Sequence, residues 1–472
     1  MNNAREAEAD KLFEQGNEQY QGGQLEAALP LLEQAVAIYR EIGNHQGKEK
    51  TLHQTRDVLR EMGLAYKDSG DYAKAVEYLQ QSVTIGQELG EREQNPCVLC
   101  NLGLAYQELR DHTKARDCFQ QSVTIAREIG NRTEERCART NLGNSYYYLG
   151  EFVHAIEVFQ QFLDIERESG DLYKQKSALF NLGGPYRALG DYVNAIEVSQ
   201  QCLDMARELG DRRDEGGSLV NLGITYDCMG NHALAIDYYQ QGLAILQEIG
   251  YSRLWEIETL RCMGKAYDST GDSAKAIDYY QQGLDIARET SDRATEAEIL
   301  SSLGTTFYNL GDYARAIEWH EQSLEIVRQM SDRREEQGHT LGRLGINYAR
   351  LGNYTKGINY LEQSLTIAQE LGDRSWERFA LSHLGTAYDA LGESAKAIEC
   401  YQQSLEHGKP SQDTLALSNL AKAYLSLGDS AQAVEYSKQW LAIVRSSGDT
   451  KGEEAVLNIL DNALEDYAKT IE

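Results

Sequence analysis

The sequence is poor in proline, in positive charge and in long apolar runs, and each shortage excludes a class of protein. Only 4 of its 472 residues are proline, which favours long helices. Lysine and arginine number 46 against 74 acidic residues, a formal net charge of −28. We therefore expect neither nucleic acid nor an anionic membrane as a partner, because both would repel the chain. No apolar run approaches the ~20 residues of a membrane span.

A secretory signal and a disulfide framework are also missing. The first residues, Met1–Tyr20, are polar and acidic, unlike the apolar core of a signal peptide. The eight cysteines are scattered without a regular spacing. These features predict a cytoplasmic protein with reduced thiols.

What the sequence has in excess is glycine, 41 residues, and much of it is periodic. The segment Asn101–Tyr106 returns in similar form as Asn141–Tyr146, Asn181–Tyr186 and Asn221–Tyr226. Its third residue, the anchor, recurs every 40 or 41 residues, except for 47 at the first step and 36 at the last. The eleven anchors are Gly16, Gly63, Gly103, Gly143, Gly183, Gly223, Gly264, Gly304, Gly345, Gly385 and Ala421. Eleven repeats therefore account for nearly the whole chain.

Three further positions recur with each anchor. An aromatic residue follows three positions later, except at Gln19; glycine follows seven later, except at Arg110; alanine follows twelve later, except at Gly357. The anchor predicts a close approach of two helices, with the aromatic filling the space beside it. The second glycine predicts the end of the first helix, and the alanine predicts a tight crossing by the second. Gly-Asp or Gly-Asn pairs such as Gly210-Asp211 predict the stop of one unit and the cap of the next.

This small-large-small pattern resembles the tetratricopeptide (TPR) family, in particular its ~40-residue class of Pins-type adaptors and kinesin light chains. The resemblance implies an all-α solenoid, a right-handed superhelix of eleven helical hairpins over residues 1–451. Residues 452–472 are expected to form a C-terminal capping helix, because Asp461 stands where an anchor would be. It also implies a non-enzymatic scaffold that holds an extended peptide of a protein partner, with no cofactor and no metal. A regulatory sensor whose superhelix changes pitch on binding is the alternative.

The ligand-facing positions follow from helical geometry. The stripe opposite the anchor lies six and two residues before it and one and five after it. Two before the anchor stand four asparagines, whose amides suit an extended peptide backbone; they are Asn101, Asn141, Asn181 and Asn221. The resemblance implies that they form a ladder that grips the peptide main chain, with Asn144 and Tyr148 beside it, and they are expected to face solvent. The alternative is that the amides bond to neighbouring helices.

A second set lies in repeats seven to nine. Five residues fall at the offsets of the dicarboxylate clamp of co-chaperone TPR domains, which implies binding of an acidic segment; they are Arg261, Lys265, Ser302, His339 and Arg343. Only Arg343 matches the clamp pattern outright, and Glu258 and Glu298 stand nearby. A solvated face of mixed charge is an equal alternative. The set predicts weak, salt-sensitive binding of acidic segments, in contrast to the neutral ladder.

Two smaller features complete the sequence-based expectations. Cys97, Cys100 and Cys137 fall close together on successive first helices, where soft packing is favoured over a metal site. Pro185 lies in the middle of a first helix and predicts a kink. The sequence shows no phosphate loop, metalloprotease helix or nucleophile elbow, so no catalytic residue is expected.

Overall fold

The computed structural model describes residues 2–90, 95–250, 252–330, 332–406 and 414–471, and these form 23 α-helices without any strand. The chain divides into two compact units, Met1–Ile245 and Leu246–Glu472. The first unit contains α1 (Asn2–Gln21), α2 (Leu25–Ile42), α3 (His45–Asp68), α4 (Tyr72–Glu88), α5 (Asn95–Glu108), α6 (His112–Glu128), α7 (Arg132–Tyr148), α8 (Phe152–Ser169), α9 (Leu172–Ala188), α10 (Tyr192–Leu209), α11 (Arg212–Cys228) and most of α12 (His232–Ile249). The predicted all-α fold is confirmed.

The second unit begins at the end of α12 and continues the same alternation of helices. It contains α13 (Arg253–Ser269), α14 (Ser273–Glu289), α15 (Arg293–Asn309), α16 (Tyr313–Arg328), α17 (Arg334–Arg350), α18 (Tyr354–Leu371), α19 (Arg374–Ala390), α20 (Ser394–Glu406), α21 (Thr414–Ser426), α22 (Ser430–Ser447) and α23 (Thr450–Ile471). Within the described ranges, none of the helices combines the length and apolar character of a membrane span.

Each helix packs chiefly against its neighbours along the chain, so that an odd helix and the following even helix form a hairpin. Odd helices also touch the next odd helix, for example α5 with α7 in the first unit and α17 with α19 in the second. The odd helices thus form one continuous layer within each unit. The stripe predicted to face a ligand lies on this layer.

The predicted left-handed turn is confirmed in every repeat, and the predicted Asp or Asn cap is confirmed at most of the described unit starts; Ser252 and Arg333 precede α13 and α17 without a side-chain cap. The residue seven after the anchor has a positive φ throughout, and at the exception Arg110 takes a φ of 60°. Asp and Asn also cap the next helix as expected: the Asp211 carboxylate accepts the backbone N–H of Asp214, and the Asp373 carboxylate accepts that of Trp376 at 3.0 Å. These residues end one helix and start the next because glycine tolerates the left-handed conformation and a carboxylate satisfies a free N–H.

The space beside the anchor is filled differently from the expectation. In ten repeats the side chain sixteen residues later, on the second helix, lies against the anchor glycine; these side chains are Leu32, Leu79, Phe119, Phe159, Ser199, Tyr239, Tyr280, His320, Leu361 and Tyr401. The aromatic three after the anchor was the predicted filler, and that prediction is wrong. Glycine suits the anchor because a side chain of the second helix occupies the space that an anchor Cβ would need.

The aromatic residue three positions after the anchor instead stacks on a second aromatic ring in several repeats, often with a cation near its own ring. In repeat two, Tyr66 stacks on Tyr78 with ring centroids 5.4 Å apart, and the Lys74 ammonium lies 4.8 Å from the Tyr66 ring. The same stack recurs at Tyr226–Tyr238, Tyr267–Tyr279, Phe307–Trp319, Tyr348–Tyr360 and Tyr424–Tyr436. Stacking, cation–π attraction or both therefore stabilise most of the hairpins near their turns.

Two irregular positions have simple outcomes. A Cβ on Gly357 would lie 2.8 Å from the backbone oxygen of Gly345, so repeat nine cannot accept the alanine found elsewhere. Pro185 is buried in α9, which runs through it as one helix. At the C-terminus, α23 has Asp461 exposed, and its capping role stays a prediction.

Candidate functional site

The asparagine ladder lies in the first unit, on α5, α7, α9 and α11. Asn101, Asn141 and Asn181 are half-buried, at the surface of the odd-helix layer. Asn221 is only 9% exposed, and Gly217, in the same stripe of that helix, is buried too. The expectation that all four amides face solvent is therefore wrong for Asn221.

Asn101 is occupied by bonds within the protein. Its Nδ2 donates to the Cys97 carbonyl at 2.9 Å, and its Oδ1 accepts from the Lys67 ammonium of the preceding repeat at 2.7 Å. Both halves of the amide thus have partners. A peptide would have to displace Lys67 to use the acceptor, so the alternative of bonds to neighbouring helices describes Asn101 best.

Asn141 and Asn181 are the members with spare capacity. Among the described residues, the Asn141 Nδ2 has hydrogen-bond contacts only with the sulfurs of Cys100, at 3.7 Å, and Cys137, at 3.8 Å, which are weak acceptors. The Asn181 amide makes no hydrogen bond to any part of the chain that the structure describes. Half-buried amides of this kind have hydrogen bonds to offer to a ligand.

Asn144 and Tyr148 flank this pair on α7. Asn144 is half-buried, and Tyr148 is 59% exposed. The Tyr148 ring stacks on His112 of the preceding hairpin with centroids 4.9 Å apart. Because this stacking already restricts the Tyr148 side chain, a partner that contacts the ring costs little further side-chain entropy.

In the second unit, all five residues of the predicted anion-binding set line one cavity of about 410 Å³ between α13, α15 and α17; they are Arg261, Lys265, Ser302, His339 and Arg343. Four cations and three carboxylates line it in total, the others being Asp268, Glu298, Arg333 and Glu336. The five positions at the clamp offsets therefore lie together around one cavity, and their role in binding stays a prediction. Whether they bind an anion depends on which charges are already paired.

Arg261 is already neutralised. Its guanidinium forms two hydrogen bonds with Glu258, at 2.6 and 2.9 Å, and lies 4.0 Å from Glu298. Burial disfavours the charge, yet the Glu258 hydrogen bond outweighs it and raises the pKa of Arg261. Glu258 and Glu298, the acidic neighbours noted in the sequence, thus compensate the charge of Arg261.

Arg343 is different. Its Nη1 donates to the Ser301 hydroxyl at 2.6 Å, but it pairs with no carboxylate among the described residues. Burial lowers the pKa of Arg343, which is the signature of a charge without a counterion. Lys265, on the same cavity, is exposed and likewise has no acidic partner in the described ranges.

A second cavity of about 220 Å³ is also lined by Arg343, and the sequence analysis did not predict it. Two side chains that are only 1% exposed line it, His320 and Asn347, and the His320 Nδ1 and Asn347 Oδ1 atoms have no hydrogen-bond partner within the described structure. Burial lowers the pKa of His320 to about 3, and Arg343 adds to the effect. The signal that could have found it is the position sixteen after the anchor, where histidine stands in place of the Leu, Phe, Tyr or Ser of the other repeats.

His339 is the remaining member of the predicted set. Its ring lies 4.0 Å from that of Trp376, and burial lowers its pKa. Ligand-type atoms of Glu335, His339 and Asp373 also lie within 4.8 Å of one another. Asp373 is already the N-cap of α19, so helix capping explains why an acidic residue stands at that position of the cluster.

Comparison with known proteins agrees with the repeat architecture. Two family models, both described as tetratricopeptide repeat, match residues 54–128, 94–168, 176–248, 250–329 and 336–409, and residues 383–448. None of the curated proteins compared with the chain matches it.

Similar solved structures include a Signal Transduction ATPase with Numerous Domains protein with a tetratricopeptide repeat sensor from Pyrococcus horikoshii, at 16% identity and a TM-score of 0.53. That match covers 71% of this chain and about half, 51%, of the other. BtubC from P. vanneervenii (20% identity, 47% of this chain, 92% of that chain, TM-score 0.44) and apo RapI (16%, 59%, 99%, 0.46) also match. At these identities the likeness shows the fold alone. Because the family models cover far more than half of its residues, the chain belongs to the tetratricopeptide repeat family.

Proposed function

We propose that this protein is a non-enzymatic interaction scaffold that holds an extended, acidic segment of a protein partner. In this proposal the cavity of the second unit receives a carboxylate of that segment. The observation that carries it is Arg343, a guanidinium that lines the cavity and has no carboxylate partner among the described residues. TPR proteins generally bind protein or peptide partners, which fits the family to which the chain belongs.

The charge of Arg343 is incompletely compensated within the described part of the protein. A charge removed from water is costly unless it is paired, and here only the Ser301 hydroxyl compensates Arg343. A ligand carboxylate would supply the missing charge, and Lys265 at the rim adds a second cation. The net charge of −28 opposes acidic ligands at long range, but salt screens it beyond ~8 Å under physiological conditions.

The test uses defined peptides, since no partner is known. A fluorescein-labelled dodecapeptide of alternating glutamate and glycine is titrated with the full chain, and the same peptide with glutamine serves as the neutral control. We expect the acidic peptide to bind more tightly, with an affinity that falls as salt rises. Arg343→Gln should weaken its binding by about ten- to a hundredfold, because a charge-assisted hydrogen bond contributes ~1.5–3 kcal/mol.

A matched control lies on the same helix. Arg334 pairs with Glu370 at 2.6 Å and does not line the cavity, so Arg334→Gln should leave binding unchanged. Equal binding of the acidic and neutral peptides would overturn the proposal. So would equal effects of the two arginine substitutions, because they would report overall charge instead of a site.

A further inference from the structure

Two cysteines of consecutive repeats meet beside the asparagine ladder. The Sγ atoms of Cys100 on α5 and Cys137 on α7 lie 3.7 Å apart. Cys100 is buried, at 3% exposure, whereas Cys137 is exposed. A disulfide needs about 2.05 Å between the sulfurs, so the two sulfurs must come closer to form a bond. They lie on helices that already pack against each other, α5 and α7.

We propose that Cys100 and Cys137 form a modification site for a hydroperoxide, at which the two thiols close into an intrachain disulfide. The Cys137 thiolate attacks one peroxide oxygen, the O–O bond breaks, and the other oxygen leaves as an alcohol or water after taking a proton. The Cys100 sulfur then attacks the Cys137 sulfenic acid and releases water. The two thiols lose two electrons in total, and the peroxide gains them.

The two thiols differ in the way that these roles require. Cys137 is open to solvent, and the hydrogen bond with Cys100 lowers the pKa of Cys137 to about 7. The same contact, with burial, raises the pKa of Cys100. An exposed thiol with thiolate character is the attacking group, since the thiolate is the nucleophile. The buried neighbour is placed to resolve the sulfenic acid.

A metal site explains the pair less well. Tetrahedral zinc needs three or four ligands, and Cys97 was the sequence candidate for a third thiolate. Among the described residues, the one group of three candidate ligands within 4.8 Å lies elsewhere, at Glu335, His339 and Asp373. Cys97 approaches Asn101 instead, with its sulfur 3.6 Å from the amide nitrogen. Two sulfurs without a third ligand favour a disulfide.

The oxidation itself is independent of the proposed function, whereas its consequence for binding rests on that function and requires that a partner segment also binds at the asparagine ladder of the first unit. The Asn141 amide lies 3.7 and 3.8 Å from the two sulfurs. Closing the disulfide moves both of these neighbours and links α5 to α7. We therefore expect oxidation to change the ligand affinity of the first unit, if that unit binds peptide at Asn141.

The experiment measures the chemistry without any ligand. The reduced full chain is treated with an equimolar amount of hydrogen peroxide, blocked with N-ethylmaleimide and digested for mass spectrometry. We expect a cross-linked peptide containing Cys100 and Cys137, two mass units lighter than the reduced pair. Cys228, an exposed thiol on α11, is the internal control and should remain alkylated.

The variant Cys100→Ser secures the assignment, because its hydroxyl can still donate a hydrogen bond to the Cys137 sulfur. It should leave a sulfenic acid at Cys137 that a 1,3-diketone probe traps, and a circular dichroism spectrum like that of the wild type checks that it folds. The proposal is overturned if Cys137 is oxidised no faster than Cys228, or if Cys137 is oxidised without a bond to Cys100 in the wild type. A disulfide that forms in a chain that binds no peptide would support this inference and count against the proposed function alone.

Discussion

Gly143 lies directly beneath the ring of Phe159, so that a Cβ at position 143 would stand 2.5 Å from two of its ring atoms. The equivalent pair in the next repeat is loose: a Cβ on Gly183 would meet only the Ser199 hydroxyl, at 3.3 Å. The same repeat position therefore carries different packing constraints.

Gly143→Ala should destabilise the protein by about 1–3 kcal/mol, because a buried ring must move to admit the methyl group. Gly183→Ala should be neutral or stabilising by up to ~1 kcal/mol, because alanine in a helix interior restricts the unfolded chain. Urea denaturation followed by circular dichroism compares the two. Equal losses at both sites would contradict the packing difference.

The Lys176 ammonium, only 2% exposed, bridges α9 to Asp211 and to Asp214, the latter at 2.8 Å. Lys176→Met should lower the free energy of unfolding by an amount toward the lower end of about 3–5 kcal/mol, because it leaves two partly buried carboxylates without their counterion. Lys174→Met is the control: its pair with Asp171 is more exposed and contributes less than ~1 kcal/mol. Thermal denaturation of both variants measures the difference.

The pH dependence of the Lys176 contribution has a defined sign. Burial disfavours its charge, but the bonds to both aspartates raise the pKa of Lys176, so its contribution is lost only as pH rises through that raised pKa. Burial opposes ionisation of Asp211, yet Lys176 lowers the pKa of Asp211, so that contribution is lost as pH falls through the lowered value. The wild-type advantage over Lys176→Met should therefore be flat between about pH 5 and 9. A sharp decline within that window would contradict the pairing.

His320 should make the protein sensitive to acid. Burial lowers its folded pKa to about 3, whereas an unfolded histidine titrates near ~6.5. Between these values only the unfolded chain binds the proton, so stability falls as pH decreases, by up to ~1.4 kcal/mol per pH unit. His320→Leu, which copies Leu361 of repeat nine, should give a shallower decline of the urea midpoint between pH 7 and 5. Parallel profiles for wild type and variant would refute a neutral buried imidazole.

The ladder residues should differ in their effect on peptide binding. A ligand for this test is selected from random dodecapeptides displayed on phage. Asn181→Ala should weaken the binding of the selected peptide about two- to tenfold at both low and high salt, because a neutral hydrogen bond contributes ~0.5–1.5 kcal/mol. Asn101→Ala is the control and should have a smaller effect, since the protein itself occupies that amide. A larger effect at Asn101 would contradict this ranking.

The repeat pattern alone was enough to derive the helices, their order and their turns. Glycine seven after the anchor and Asp211 or Asp373 at the helix starts act through local backbone geometry, which depends only on nearby residues. The five residues that line the cavity were also named from the sequence, through the offsets of the dicarboxylate clamp in the TPR domains that the chain resembles. These inferences need no knowledge of the neighbouring helices.

Only the tertiary structure decided what each side chain meets across the helix interfaces. It showed that Phe159, not Tyr146, covers Gly143, that Asn221 is buried, and that Arg343 has no acidic partner among the described residues. The physical reason is that burial and pairing depend on how different helices pack against one another. Periodicity predicts the face on which a residue lies, but not the atoms that approach it.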